Sequence, residues 1–168
     1  ALDATFHVKH LASRCDLLVE STTYWGSYLG RVIAIANQKG GVGKTTTAVN
    51  LAASLAAAEQ PTLAIDCDPQ GNTTGALGFH KDPARRTLYH ALILNEPLHR
   101  ILLKTQVDGL DIIPADKNLV GAAVELVSLQ NREFFLRKLI SELRKNYNYV
   151  ILDCPPALDL LTLNALVA

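Results

Sequence analysis

The sequence contains no methionine among its 168 residues and opens at Ala1. A natural reading frame normally begins with methionine. We therefore expect the sequence to be a fragment, or a translation that runs upstream of the true start.

The sequence also lacks a long apolar run, a net charge and a cysteine framework. No apolar stretch approaches the ~20 residues that span a bilayer, so we expect no membrane association. Lys and Arg number 16 against 16 Asp and Glu, which is unlike the basic footprint of a dedicated nucleic-acid module.

The three cysteines, Cys15, Cys67 and Cys154, form no C-x-x-C pair. This spacing disfavours disulfides and zinc and fits a reducing cytoplasm, with Cys67 and Cys154 as buried, inert thiols.

Residues 1–30 differ in character from the rest of the chain. They show no sustained hydrophobic period and contain the only tryptophan, Trp25. We expect an N-terminal extension here, either disordered or produced by a mis-assigned start, ahead of one domain at 31–168.

Short apolar runs alternate with helical patterns from residue 31 onward. Strands are predicted at Val32–Ala36, Thr62–Asp66, Leu110–Ile113 and Tyr149–Asp153, and helices at Thr45–Ala58, near Thr87–Leu94, around Leu136–Leu143 and at Leu160–Val167. This alternation predicts an α/β fold with a mostly parallel sheet and helices on both faces. Ligands of such sheets bind beyond the C-terminal ends of the strands.

A glycine-rich segment follows the first predicted strand and opens the first predicted helix. Its glycines allow backbone N–H groups to surround phosphate oxygens at the positive end of the helix. Lys44 can reach the β- and γ-phosphates, and the Thr45 hydroxyl can bind Mg²⁺. The strict P-loop pattern places glycine where Gln38 stands. The predicted nucleotide-binding residues are Lys39, Gly40, Gly41, Val42, Gly43, Lys44, Thr45 and Thr46.

Acidic residues follow two other predicted strands. Asp66 and Asp68 flank Cys67, and a spacing of two places both side chains on the same side of an extended chain. Asp153 ends the fourth strand. Two acids beside a polyphosphate repel it unless a cation lies between, so we expect a Mg²⁺ site. An Asx-type turn ahead of Pro69 remains the alternative for Asp68.

The motifs together resemble the ParA/MinD family of P-loop ATPases over about residues 31–168. Lys39 at the start of the loop resembles the deviant Walker A motif of that family. The segment from Asp68 to Asn72 reads DPQGN, and the segment from Asp153 to Pro156 reads DCPP. Both are similar to signatures of the ParA/Soj branch, which performs chromosome partitioning. Family members continue well beyond position 168, so the resemblance implies a three-layer P-loop NTPase fold that is truncated at its C-terminus.

The resemblance also implies roles for individual residues. Lys39 would cross a dimer interface to the partner's phosphates, acting in catalysis with Lys44. Asp68 would position the attacking water. Asp66 and Asp153 would support Mg²⁺ through water, alongside Thr45 as a metal ligand.

The implied function is a slow, partner-stimulated ATPase that segregates chromosomes or plasmids. The resemblance implies ATP and Mg²⁺ as cofactors and a homodimer in the ATP-bound state. It further implies a centromere-binding, ParB-like partner, non-specific DNA binding through residues missing from this chain, and a cytoplasmic, nucleoid-associated location.

Three alternatives remain open from the residues. One is a MinD-type division-site ATPase that works on membranes, and another is a non-catalytic, truncated nucleotide-binding remnant. A ligase of the cobyrinate-amidating type is disfavoured by the DPQGN segment.

The family's Ser-Leu-Gly stretch is replaced here by Ala157, Leu158 and Asp159. The sequence leaves open whether the Asp159 carboxylate weakens nucleotide binding or lies in solvent.

Overall fold

A five-stranded sheet forms the centre of the computed structural model, which describes residues 29–168. The strands are β1 (Arg31–Ile35), β2 (Thr62–Asp66), β3 (Leu103–Lys104), β4 (Leu110–Ile113) and β5 (Tyr149–Asp153). Their order is β1-β5-β2-β4-β3. Every pair is parallel except β3 with β4, which is antiparallel. The predicted extension at 1–30 lies outside the described residues except for its last two.

Among the described residues, six α-helices flank the sheet. They are α1 (Lys44–Ala57), α2 (Asn72–Ala76), α3 (Leu88–Leu94), α4 (Leu119–Glu125), α5 (Phe135–Leu143) and α6 (Leu160–Val167), and short 3-10 turns lie at Leu98–Arg100, Leu126–Ser128 and Arg132–Phe134. The predicted strands and helices agree with the structure to within about a residue where bounds were given. The sequence did not predict α2, α4 or β3. No helix within residues 29–168 is long and apolar enough to cross a membrane.

The side chains of β2 alternate between two separate cores. Leu63 and Ile65 are buried with α3, α4, α5 and α6 on one face of the sheet. Ala64 is buried on the other face with the alanines of α1 at positions 48, 52 and 56. Small alanine side chains let α1 approach the sheet closely. The sheet is therefore covered on both faces, and the predicted three-layer α/β fold is confirmed.

The strand order places β5 between β1 and β2. Asp153 at the end of β5 is in register with Ile35 of β1 and with Asp66 of β2. The pairing continues past the strand ends, because Cys154 N–H donates to Ile35 O at 3.1 Å and Cys67 N–H donates to Asp153 O at 2.9 Å. The segments that follow these three strands therefore meet at one edge of the sheet.

Candidate nucleotide and metal site

The glycine-rich turn between β1 and α1 presents its backbone to open space. Gly41 has φ 71° and Gly43 has φ 86°, in the left-handed region that favours glycine. A Cβ added at Gly40, Gly41 or Gly43 would meet no atom within 4 Å. The turn can therefore admit a bulky anion against its main chain.

The start of α1 adds an anion-binding helix terminus to this turn. Gly43 is the N-cap, so no side chain within residues 29–168 caps the first turn, and that turn contains no acidic residue. The first N–H groups of a helix have no intrahelical acceptor, and the helix dipole places partial positive charge there. Backbone N–H groups from Lys44 onward can thus bind phosphate oxygens.

The turn contains two lysines with different surroundings. Lys44 Nζ donates to Lys39 O at 3.3 Å, which draws the ammonium group back across the turn. Lys39 is exposed, and its N–H donates to Asn37 Oδ1 at 2.9 Å. The Lys39 side chain is therefore free to contact a second molecule. Its role across a dimer interface remains a prediction.

Within the described residues, the side-chain hydrogen bonds of Asp153 are all made by one of its two carboxylate oxygens. The hydroxyls of Thr45 and Thr73 both donate to its Oδ2, each at 2.7 Å. Its Oδ1 is the one buried side-chain N or O atom within residues 29–168 that has no hydrogen-bond partner. Burial raises the pKa of Asp153, while the two threonine hydroxyls and the nearby charge of Lys44 oppose that rise.

This donor set fits Mg²⁺. A hydroxyl that donates its proton keeps its lone pairs, so Thr45 can bind a cation while it bonds to Asp153. A buried carboxylate oxygen without a donor is costly unless a donor or cation compensates it. Within the described chain, no three His, Cys, Asp or Glu side chains group as a metal site. Mg²⁺ is commonly held by one or two protein groups with substrate phosphates and water.

Asp66 differs from Asp153 because both of its oxygens accept hydrogen bonds. Oδ1 accepts from Asp68 N–H at 3.1 Å, and Oδ2 accepts from Thr74 N–H at 2.8 Å and Thr74 Oγ1 at 2.7 Å. Burial raises the pKa of Asp66 to about 7, against the lowering effect of the Thr74 bonds. The side chain holds the start of α2 in place, and its predicted support of Mg²⁺ remains a prediction.

Asp68 forms the turn that the sequence left open and also lies close to the metal site. Its Oδ1 accepts from Gln70 N–H at 2.9 Å, which is an Asx turn ahead of α2. The side chain is buried, and its charge contributes to raising the pKa of Asp153. An Asx turn uses one carboxylate oxygen, so it is compatible with the predicted water-positioning role, which remains a prediction.

The structure adds two features of the site that the sequence missed or left open, and it confirms a third. Thr73 and Thr74 were missed, because they lie on the five-residue helix α2, for which the sequence analysis predicted no element. Asp159 is the N-cap of α6, where its Oδ1 accepts from Thr162 N–H at 2.9 Å. Cys67 and Cys154 are buried thiols as predicted, and burial raises the pKa of Cys154 to about 12.

The sequence of this chain is similar to those of known proteins. A family model described as an AAA domain, AAA_31, matches residues 30–168. The chain belongs to the AAA_31 family. Its curated relatives include "Chromosome partitioning protein ParA" of Myxococcus xanthus, which is 54% identical over 140 residues. They also include "Sporulation initiation inhibitor protein Soj" of Bacillus subtilis, which is 48% identical over 140 residues.

These similarities confirm the resemblance to ParA/Soj proteins. The match covers 83% of this AAA_31 chain, 50% of the Myxococcus protein and 55% of the Bacillus protein. The chain thus spans about half the length of the curated relatives it matches.

The fold is shared with solved structures that contain nucleotide and metal. One is the crystal structure of cobyrinic acid a,c-diamide synthase from Mycobacterium smegmatis with bound ATP analog and magnesium. It superposes with a TM-score of 0.80 at 38% sequence identity, covering 83% of this chain and 57% of that chain. The predicted P-loop NTPase fold of this AAA_31 chain is confirmed by this similarity.

Proposed function

We propose that the full-length protein is an ATPase of the ParA/Soj type that binds ATP with Mg²⁺ and partitions chromosomes or plasmids. One observation carries the nucleotide-binding part of the proposal. The open glycine turn before α1 lies at the same sheet edge as the buried, unpartnered Oδ1 of Asp153. An anion site beside an orphaned carboxylate oxygen fits a metal-bound polyphosphate. The names of the curated relatives support the partitioning role.

Each residue of the site has a task in this proposal. Backbone N–H groups of the glycine turn and α1 bind phosphate oxygens, and Lys44 neutralises their charge. Thr45 and Asp153 would hold Mg²⁺, which supplies positive charge to the phosphate oxygens. Asp68 orients the attacking water. Lys39 of a second copy supplies a cation where negative charge builds, a task worth ~10³–10⁵ in rate for the corresponding arginine of GTPases.

The partners follow from the same proposal. We infer an ATP-bound homodimer because the resemblance to ParA/Soj proteins assigns Lys39 to a partner's phosphates, and the Lys39 side chain is exposed and so free to reach a second copy. A centromere-binding, ParB-like protein would stimulate hydrolysis. Non-specific DNA binding would require residues outside these 168, since this chain carries a formal net charge of +0. The proposed location is the cytoplasm, in association with the nucleoid.

Calorimetry and turnover assays on the full-length protein test this function. The parent is expected to bind ATP in a Mg²⁺-dependent manner and to hydrolyse it slowly. Lys44→Ala should abolish nucleotide binding, whereas Asp68→Ala should bind ATP, lose turnover and remain dimeric. Lys138→Ala, at an exposed position of α5, is the control and should behave like the parent.

Three results would contradict the proposal in different ways. Absence of Mg²⁺-dependent ATP binding in the parent would remove its basis. Binding without turnover would favour the non-catalytic remnant. Unchanged turnover in Asp68→Ala would reject only the water-positioning role of Asp68.

A second candidate is an ATP-dependent amide synthase. It is favoured by the 38% identity to the solved cobyrinic acid a,c-diamide synthase. The partitioning relatives are more similar, at 48% and 54% identity. The assay that separates the two compares ATP turnover with added DNA and centromere-binding protein against turnover with added cobyrinic acid and glutamine. Stimulation by the second pair alone would favour the synthase.

A further inference from the structure

We propose that Thr73 is a positioning residue of the metal site, which fixes one oxygen of Asp153 so that the other faces the cation. The inference rests on the proposed function, because it assigns a role within the same Mg²⁺-nucleotide site. It concerns Thr73 of α2, which directly follows the DPQGN segment and belongs to none of the motifs.

The hydrogen bonds of Asp153 are unevenly distributed. A carboxylate has about four lone-pair positions over two oxygens. Here two hydroxyls, one from α1 and one from α2, donate to Oδ2 at 2.7 Å each, and no group among residues 29–168 donates to Oδ1. An unsatisfied buried acceptor is costly unless a donor or a cation compensates it. Two donors at one oxygen fix the plane of the carboxylate, and the other oxygen is left for a positive group.

Bonds other than that of the Thr73 hydroxyl also hold α2 in place. Thr74 holds the helix to Asp66 through its N–H and its hydroxyl, at 2.8 and 2.7 Å. The same hydroxyl accepts from Ala115 N–H at 3.0 Å, which ties α2 to the end of β4. Gly71, with φ 66°, lies so close to this strand end that an added Cβ would be 3.1 Å from Ala115 O.

The two threonines have different hydrogen-bond partners, so a role in positioning Asp153 can be tested separately from a role in holding the fold. Thr74 supplies the bonds that hold α2, and Thr73 directs its one donor toward Asp153. Loss of the Thr73 hydroxyl should therefore leave the helix in place and release the carboxylate to rotate. The expected consequence is weaker binding of the cation with nucleotide binding otherwise retained.

The test measures the affinity of the full-length protein for ADP by calorimetry, with EDTA and across a Mg²⁺ series. Thr73→Val keeps the side-chain shape and removes the donor. In EDTA, the ADP affinity of this variant should match that of the parent. With Mg²⁺, the variant should need about 10-fold more Mg²⁺ for the same gain in ADP affinity, because residues that orient metal ligands have effects of this size. Thr73→Ser should restore the parent's Mg²⁺ dependence. Thr73→Ala provides a second hydroxyl-free variant if Thr73→Val does not melt cooperatively.

Thr62→Val is the matched control. Thr62 is fully buried at the opposite end of β2, and its hydroxyl donates to Gln60 O at 2.8 Å. This variant should show the parent's Mg²⁺ dependence. A parental Mg²⁺ dependence in Thr73→Val or Thr73→Ala would overturn the positioning role and leave the proposed function intact. A parent without any Mg²⁺-dependent gain would overturn both.

Discussion

Two buried carboxylates at neighbouring strand ends have opposite surroundings. Asp66 accepts three hydrogen bonds, two of them at one oxygen, and neither oxygen is left without a donor. Asp153 accepts two bonds at one oxygen and, from the part of the chain that the structure describes, none at the other. Since an unsatisfied buried acceptor is costly, the difference supports the proposal that Asp153 faces a cation, while the hydrogen bonds of Asp66 hold α2. Sequence spacing placed both acids at the sheet edge but could not distinguish these roles.

Gly43 provides a residue-scale prediction, with Gly40 as its matched partner. Both positions leave space for a Cβ, but only Gly43 has a left-handed backbone, at φ 86°. The left-handed conformation costs a residue with a Cβ about 1–2 kcal/mol. Gly43→Ala should therefore lower the free energy of unfolding by about that amount, measured by urea denaturation of the nucleotide-free, full-length protein.

Gly40→Ala should leave that free energy unchanged or slightly raised, because alanine restricts the unfolded chain. Equal destabilisation by the two substitutions would show that the left-handed conformation at Gly43 is not what costs stability.

At the scale of elements, buried strands were predicted well because their apolar runs carry their own signal. The residues of β2, β4 and β5 agree with the prediction, and β1 (Arg31–Ile35) begins one residue earlier than predicted. By contrast, α2 has five residues, too few for a helical period, and is held by tertiary hydrogen bonds to Asp66. Exposed valines at 120 and 124 blur the apolar face of α4. These elements depend on contacts that a local pattern does not contain.

The N-cap of α6 gives an element-scale prediction. Asp159 Oδ1 accepts from Thr162 N–H, so the carboxylate is used in capping the helix. Asp159→Ala should lower the free energy of unfolding by about 0.5–2 kcal/mol. Asp159→Asn, which keeps a capping oxygen, should lie close to the parent in thermal or urea unfolding.

The same pair of variants tests the alternative role of Asp159. ATP affinity should be equal in the parent, Asp159→Ala and Asp159→Asn when measured by calorimetry on the full-length protein. Tighter ATP binding after loss of the charge would indicate that the Asp159 carboxylate repels the nucleotide.

For the whole molecule, the order of the strands in the sheet was the main feature that the sequence did not predict. Strands of βαβ units were predicted to be parallel, but the position of β5 between β1 and β2 depends on packing across the chain. That position brings the glycine turn, Asp66 and Asp153 to one edge. The opposite edge contains a separate polar cluster of Lys104, Asp111 and Tyr147, in which the tyrosine hydroxyl and the ammonium both donate to Asp111 Oδ2, at 2.6 and 2.8 Å.

This opposite edge should affect stability without affecting nucleotide binding. Tyr147 precedes β5, and the four residue-to-residue steps from Tyr149 to Asp153 separate the two ends of the strand by roughly 13 Å. Asp111 is buried, and Tyr147 is buried beside it, which together with their hydrogen bond raises the pKa of the tyrosine. Tyr147→Phe removes a buried donor and should lower the free energy of unfolding by about 1–3 kcal/mol.

Lys104→Ala removes the other donor to the same oxygen and is the matched comparison. The Lys104 side chain is 83% exposed, and exposed ion pairs contribute about 0–1 kcal/mol, so this variant should unfold nearly like the parent. Urea denaturation of the full-length variants measures both effects, and calorimetry should show one ATP affinity for all three proteins. A change in ATP affinity in Tyr147→Phe would mean that the two edges are coupled through β5, since Asp153 at its end is the residue that a shift of this strand would move.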